Sequence, residues 1–240
     1  MALPPADELA LGSLAACRLF AGLDDATMAT VARALRRRRY KRGEVIFHAG
    51  DPGDALFIVA RGSVKITVTA EDGAEPAILA TIEPGGFFGE LALLDGAARS
   101  ASAAALGAVE AMILGRDAFD RLVDDEPALR HALLASLARE IRRLTGQVED
   151  LHFLDLPGRL ARHLIRLAPG DGGRAGQDLP EGEIRRPWPY TQGELAGMIG
   201  GSRQSVNRLL ADFVAQGLLR FEGDELVIPN PRRLAQAAAR

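Results

Sequence analysis

The chain has 240 residues, 48% of them hydrophobic, a single cysteine and a formal net charge of −3, which suffices for one large domain or two ordinary ones with real cores. No apolar run approaches the roughly 18 residues of a membrane span, and MALPPADELALGS lacks a basic start and an apolar signal core, so a cytoplasmic protein without membrane association is expected. The lone Cys17 can neither close an internal disulfide nor by itself supply the about four thiolates of an iron–sulfur cluster, and His48, His131, His152 and His163 show no metal-ligand spacing.

Charge is unevenly divided. Residues 1–150 carry 17 basic and 22 acidic side chains (−5), whereas residues 151–240 carry 12 and 10 (+2). A mildly basic C-terminal part fits a DNA contact confined to one module.

In chain order, Asp24 to Arg39 reads as a short amphipathic helix, with Asp24 or Asp25 as cap and Met28, Val31 and Leu35 at helical spacing. Its end, Arg36 to Arg39 with Lys41 and Arg42, is expected to be a solvated helix end; an extra nucleic-acid patch is the alternative. The period then changes. Val45–Phe47, Leu56–Val59, Val64–Thr69, Ile78–Ile82 and Val109–Leu114 are β-rich and broken by turns, Gly50-Asp51-Pro52-Gly53-Asp54 and Glu71-Asp72-Gly73 being the clearest. Many short strands with glycine turns predict an antiparallel β-barrel or jelly roll.

A long helix follows from Pro127 to Leu151. Leu134, Leu137, Ile141, Leu144, Val148 and Leu151 recur at alternating spacings of three and four, the seam of a two-stranded coiled coil; a helix packed into its own core is the alternative. After a hinge at Phe153–Pro157 comes a second helix, Gly158–Leu167, and then a Gly- and Pro-rich stretch, APGDGGRAGQDLPEGEIRRPWP, read as loop with room for a strand pair.

Thr191-Gln192-Gly193-Glu194 is a capping box opening a helix through Ile199, which Gly200-Gly201 breaks. Ser202 caps the next helix, SRQSVNRLLADFVAQG, whose Val206, Leu209, Leu210 and Phe213 face inward. Arg203, Gln204, Asn207 and Arg208 share the opposite face. Two helices joined by a tight glycine turn, the second carrying long donors near its N-terminus, form a helix-turn-helix that can enter a major groove. Leu218–Phe221, the turn Glu222-Gly223-Asp224 and Leu226–Ile228 make the hairpin of a wing. A helical hairpin with a solvated polar face is the plainer alternative. The expected DNA contacts are Thr191, Gln192, Ser202, Arg203, Gln204, Asn207 and Arg208.

Between the strands, Gly85-Gly86-Phe87-Phe88-Gly89-Glu90-Leu91-Ala92 ends a strand and opens a short helix, and Arg99-Ser100 follows. Amides from Gly89 to Ala92 suit an anion, Arg99 offers a fork for phosphate oxygens, and Glu90 can accept from a ribose hydroxyl. A turn with a structural ion pair is the alternative.

In order, LFAGLDD, GEVIFHAGDPGDALFIVARGSVKI, FFGELALLDGAARSA, the long helix ending FLDLPGR, and TQGELAGMIGGSRQSVNRLLADF resemble the cyclic-AMP receptor protein / fumarate-nitrate regulator (CRP/FNR) family of transcription regulators, from about Leu19 to Ile228. The resemblance implies an α+β chain in three parts: an effector-binding β-domain with an N-terminal helix (1–126), a dimerisation helix and hinge (127–156) and a winged helix-turn-helix (157–240). It implies a homodimer under allosteric control by cyclic AMP or cyclic GMP, with no other cofactor, on a palindromic double-stranded operator, with RNA polymerase a candidate further partner. Gly89, Leu91 and Ser100 would hold the cyclic phosphate beside Arg99, and Glu90 the ribose. Aligned through the Leu-Asp hinge, Leu144 stands where cyclic-AMP-binding members present a Thr to the purine, with Thr145 next. Gln204 stands where many members have Glu.

A constitutive regulator of the same fold, or one answering to another ligand, is the alternative reading. A haem or iron–sulfur sensor is disfavoured by the single cysteine and by the lack of histidine between residues 49 and 130. No nucleophile–base pair, Walker loop or kinase signature marks an enzyme.

Overall fold

The computed structural model describes residues 5–69, 76–166, 182–188 and 190–238, and it comprises two compact units, Met1–Glu140 and Ile141–Arg240. The first unit begins with α1 (Pro5–Ala16) and α2 (Asp25–Ala34), followed by β1 (Arg36–Tyr40), β2 (Val45–Phe47), β3 (Ala55–Arg61), β4 (Val64–Val68), β5 (Ala77–Ile82) and β6 (Phe87–Phe88). Then come α3 (Leu91–Asp95), β7 (Ser102–Ala105), β8 (Val109–Gly115), α4 (Arg116–Asp125) and α5 (Pro127–Phe153), whose later turns belong to the second unit. The strands form two antiparallel sheets, ordered β1-β8-β3-β6 and β2-β7-β4-β5, in the manner of a jelly roll.

Side-chain alternation explains why β3 reads as an unbroken apolar run. Leu56 and Ile58 pack with Leu14, Phe20, Phe119 and Leu129 under the helices, while Phe57 and Val59 pack with Val64, Phe88 and Ala103 between the sheets. A strand buried on both faces needs apolar residues at every position. Opposite it, β8 divides in the same way, Met112 and Leu114 to the helical layer and Val109 and Ala111 to the other.

The expected helix end at Arg36–Arg39 is a strand. Asp24 caps α2 as expected, its Oδ1 accepting from Thr27 N at 2.7 Å, but Leu35 turns extended (φ −73°, ψ 141°). From Arg36 the chain pairs with β8, Arg36 opposite Ile113 and Tyr40 opposite Val109. Alternation sends Arg37 and Arg39 to the buried Glu110 of β8, each donating through Nε, and the guanidinium of Arg38 lies 4.9 Å from the Tyr40 ring centre. The anticipated turn Glu71-Asp72-Gly73 lies outside the described residues.

In the second unit α5 ends at Phe153 and α6 (Leu156–Arg166) begins after two residues, so the expected hinge narrows to Leu154 and Asp155. Helix α6 starts before Gly158 because Pro157 suits a first turn and Asp155 Oδ1 accepts from Gly158 N at 2.9 Å. Across this joint the buried Asp150 of α5 accepts from Arg162 at 2.5 Å and also from Arg166. Residues 168–181 of the Gly- and Pro-rich stretch are outside the described residues; its later part forms β9 (Ile184–Pro187). Then follow α7 (Gln192–Ile199), α8 (Arg203–Ala215), β10 (Arg220–Glu222), β11 (Glu225–Ile228) and α9 (Pro231–Ala238). The three strands form one antiparallel sheet, β10-β11-β9. Its core joins Leu160 and Leu164 to Leu195, Ile199, Val206, Leu210, Phe213, Leu226 and Leu234. Among the described residues no helix is long and apolar enough to cross a membrane.

Candidate functional site

In the first unit the glycine block and Arg99 meet beside Phe47 of β2 and Phe57 of β3. Arg99 is 4% exposed, with its guanidinium carbon 4.3 Å from the Phe47 ring centre and 5.6 Å from that of Phe57. Nη1 donates to Gly89 O at 2.7 Å and Nη2 to Ala55 O at 2.9 Å; Nη2 lies 3.6 Å from Asp54 Oδ1. The buried Nε has no partner among the described residues. Burial pushes the guanidinium's pKa down, against the opposing pull of the Asp54 and Glu90 carboxylates. It still carries its charge.

Gly89 is required here twice over. Its φ of +86° is in the left-handed region, and a Cβ would stand 2.6 Å from Arg99 Nη1. Glu90 follows directly and opens α3, in which Leu91 is exposed and Ala92 buried. First-turn amides of a helix have no partner within it, so Leu91 and Ala92 turn donors outward beside the one buried cation of the block. Ser100 is exposed next to Arg99. Burial raises the Glu90 carboxyl above the ordinary glutamate value; Glu140 of α5 adds to this and Arg99 opposes it. Phe87, Glu90, Leu133, Ser136, Leu137 and Glu140 line a small crevice.

The structure thus brings Gly89, Glu90, Leu91, Ala92, Arg99 and Ser100 into one block. Leu144 and Thr145 belong to the second unit; Leu144 is exposed, and Thr145 Oγ1 donates to Ile141 O at 2.9 Å. Phe47, Phe57 and the Ala55 carbonyl, which seat the guanidinium, were not legible as site residues. Their signal was the alternation along β3, which sends Phe57 away from Leu56 and Ile58.

Along α5 the apolar seam changes character. Leu129 and Leu133 are buried, whereas Leu134, Ile141, Val148 and Leu151 are 66, 64, 53 and 55% exposed in the single chain. Leu144 is exposed as well, and Leu137 is half-buried at the crevice.

In the second unit the capping box is complete: Thr191 N donates to Glu194 Oε2 at 2.8 Å and Glu194 N to Thr191 Oγ1 at 3.2 Å. Gly200 ends α7 in the left-handed region (φ 65°, ψ 46°), and Ser202 Oγ accepts from Ser205 N at 3.1 Å to cap α8. These caps fix α8 with Val206, Leu210 and Phe213 in the core. Arg203, Gln204, Asn207 and Arg208 are all exposed, as are Thr191, Gln192 and Ser202. The wing is the β10–β11 hairpin with β9 beside it, an addition that turns the expected hairpin into a three-stranded sheet.

Two family models match the chain, the cyclic nucleotide-binding domain over residues 37–126 and the Crp-like helix-turn-helix domain over residues 158–237. A CRP-like cAMP-activated global transcriptional regulator of Mycobacterium tuberculosis is 37% identical over 225 residues, 94% of this chain and 98% of that protein. A cyclic AMP receptor protein of Thermus thermophilus is 35% identical over 203 residues, 85% of this chain and 88% of its own length. Among solved structures, the c-di-GMP responsive global regulator CLP of Xanthomonas campestris superposes with a TM-score of 0.70 at 26% identity, over 86% of this chain and 100% of that one. With a cyclic nucleotide-binding domain ahead of a Crp-like helix-turn-helix, and with these relatives spanning nearly its whole length, the chain belongs to the CRP/FNR family of DNA-binding transcription regulators.

Proposed function

We propose that this regulator works as a cytoplasmic homodimer whose affinity for a palindromic operator is set by a cyclic nucleotide, cyclic AMP or cyclic GMP. The observation that carries the reading is the seat of Arg99, a buried guanidinium beside Glu90 and the opening turn of α3. An anionic cyclic phosphate near Gly89, Leu91, Ala92 and Ser100 would meet outward amides, a hydroxyl and a cation already desolvated. Such preorganised, charge-assisted contacts are stronger than neutral ones. Glu90 would accept from the ribose hydroxyl. Relatives named as a cAMP-activated regulator and as a cyclic AMP receptor protein favour cyclic AMP of the two.

Functionally the chain divides into an effector part (1–126), a dimerisation helix and hinge (127–156) and a DNA-reading part (157–240). Leu134, Leu137, Ile141, Leu144, Val148 and Leu151 form the seam between two copies, which would cover large apolar side chains that a single chain leaves in water. Leu144 and Thr145 are then the α5 residues offered to the base. In the groove Arg203 suits guanine O6 and N7, Gln204 suits adenine N6 and N7, and Asn207 and Arg208 reach bases or phosphates, with Thr191, Gln192 and Ser202 at the backbone. Two-fold symmetry would place the half-sites about one helical turn, near 34 Å, apart. RNA polymerase is the partner through which the bound dimer would act on transcription.

A second reading, the same regulator answering to another ligand or to none, is favoured by one observation: an aliphatic Leu144 where a purine-contacting Thr is expected. The fold also serves a regulator described as c-di-GMP responsive. Calorimetric titration of the purified chain with cyclic AMP, cyclic GMP and cyclic di-GMP separates the readings. Saturable binding of either mononucleotide, lost in Arg99→Ala, is expected; binding of neither would leave the second reading.

A further inference from the structure

Arginines on a wing beside a recognition helix would ordinarily count as phosphate contacts. Here two of the three wing arginines, Arg185 and Arg220, are already engaged by carboxylates of the same sheet. Arg185 donates to Glu183 at 2.8 Å and to Glu222 at 2.6 Å, with Glu225 at 3.6 Å. Arg220 donates to Glu183 at 2.7 Å and to Glu222 at 2.6 Å. Each arginine therefore bridges the same two glutamates, which come from β10 and from the residue preceding β9. The hairpin turn adds Asp224. Over residues 183–187 and 220–226 four acids (Glu183, Glu222, Asp224, Glu225) face three arginines (Arg185, Arg186, Arg220), a net charge of −1.

We infer that the wing is held off the DNA backbone by its own carboxylates, and that Glu183 and Glu222 act as specificity determinants by keeping sequence-independent affinity low. The physical reason is counterion release. Non-specific affinity grows with the number of phosphates a protein neutralises, and a guanidinium already matched by two carboxylates neutralises none. Exposed ion pairs are individually weak, so a phosphate could compete for one arginine alone. It would then stand against Glu183, Glu222, Glu225 and Asp224 together. Sequence-independent binding is left to the face of α8, where the same helix also reads bases, and the ratio of specific to non-specific affinity rises. A site gains specificity as much by repelling the wrong partner as by attracting the right one.

The inference rests on α8 being the groove-facing element, and it is tested on the full chain with a mixed-sequence duplex that contains no inverted repeat. Binding is followed by fluorescence anisotropy between about 50 and 200 mM salt, where log affinity falls linearly with log salt. The Glu183→Gln/Glu222→Gln double variant changes the local net charge from −1 to +1 and frees both arginines. It should bind on the order of three- to tenfold more tightly at the low end of that range, with a salt slope steeper by about 2. Arg185→Ala and Arg220→Ala should keep the parent's salt slope, because neither arginine neutralises a phosphate. A double variant with the parent's affinity and slope, or a shallower slope in either alanine variant, would overturn the inference. Arg208→Ala measured alongside addresses α8 instead: if it costs no affinity, the reading of that helix is at fault.

Discussion

Arg99 and the pair Arg203 and Arg208 are the same side chain in opposite settings. Arg99 is buried against two phenylalanine rings with both terminal nitrogens held by carbonyls of its own domain, whereas Arg203 and Arg208 stand exposed on α8. A small anion must be bound in a place defined to a fraction of an ångström, so its cation is fixed and desolvated before the ligand arrives. A duplex presents its phosphates and base edges over a wide surface, so its arginines can remain hydrated until contact. Under the proposed function, binding and stability are therefore coupled at the first site and separable at the second.

The largest expected effect breaks that coupling. Arg99→Ala leaves the Gly89 and Ala55 carbonyls without their donors and should cost about 1.5–3 kcal/mol of folding stability as well as nucleotide binding. Arg203→Ala should leave stability within about 0.5 kcal/mol yet cost about 1–3 kcal/mol of operator affinity and relax preference at one guanine. Urea denaturation and DNA titration of both proteins check this. Equal stability losses would erase the distinction.

Helix α5 lies between the two sites in sequence, and its seam sharpens the contrast because it too is exposed in the single chain. Ile141→Lys or Val148→Lys should leave the fold of one copy unchanged, since both positions are more than half exposed, but set like charges face to face across a parallel pair. Sedimentation velocity should register dissociation of the dimer at concentrations where the parent stays paired. A mutant dimer as tight as the parent's would remove the seam from the interface.

A smaller effect separates the units by pH. In α6 the Nε2 of His163 is buried without a partner among the described residues, and burial together with Arg166 pushes its pKa from 6.5 to about 4. The folded state therefore binds fewer protons than the unfolded chain between these values. Stability is complete above pH 6.5 and falls as pH drops toward 4. From pH 7 to 5 the loss should be on the order of 1–2 kcal/mol. His163→Leu should flatten it, as read by denaturant midpoints at the two pH values. An unchanged slope in the variant would mean that another group carries the acid sensitivity.

Sequence alone was most informative where a local rule had a unique solution. The caps at Asp24, Thr191 and Ser202, the Gly200 break and the inward Val206, Leu210 and Phe213 follow from short-range chemistry, and all are present. Long-range pairing hid the rest. Arg36–Arg39 looks like the end of a helix until β8 supplies Glu110, a partner distant in sequence. Strand β7, with Ala103 and Ala105 filling the space between two sheets, has no β-branched or aromatic signal of its own. At the candidate site Gly89, Glu90 and Arg99 were legible, but the guanidinium's commitment to the Gly89 and Ala55 carbonyls was not. Those acceptors are backbone atoms, which every residue type carries alike.

Control of DNA binding by a cyclic nucleotide is the central claim, and it is tested most directly by a linkage measurement. Operator DNA selected by the protein from a random pool is titrated with and without saturating cyclic AMP, and cyclic AMP is titrated with and without that DNA. The two ligands must strengthen each other by one common factor, typically between about 5- and 150-fold. An operator affinity identical with and without the nucleotide would contradict the account.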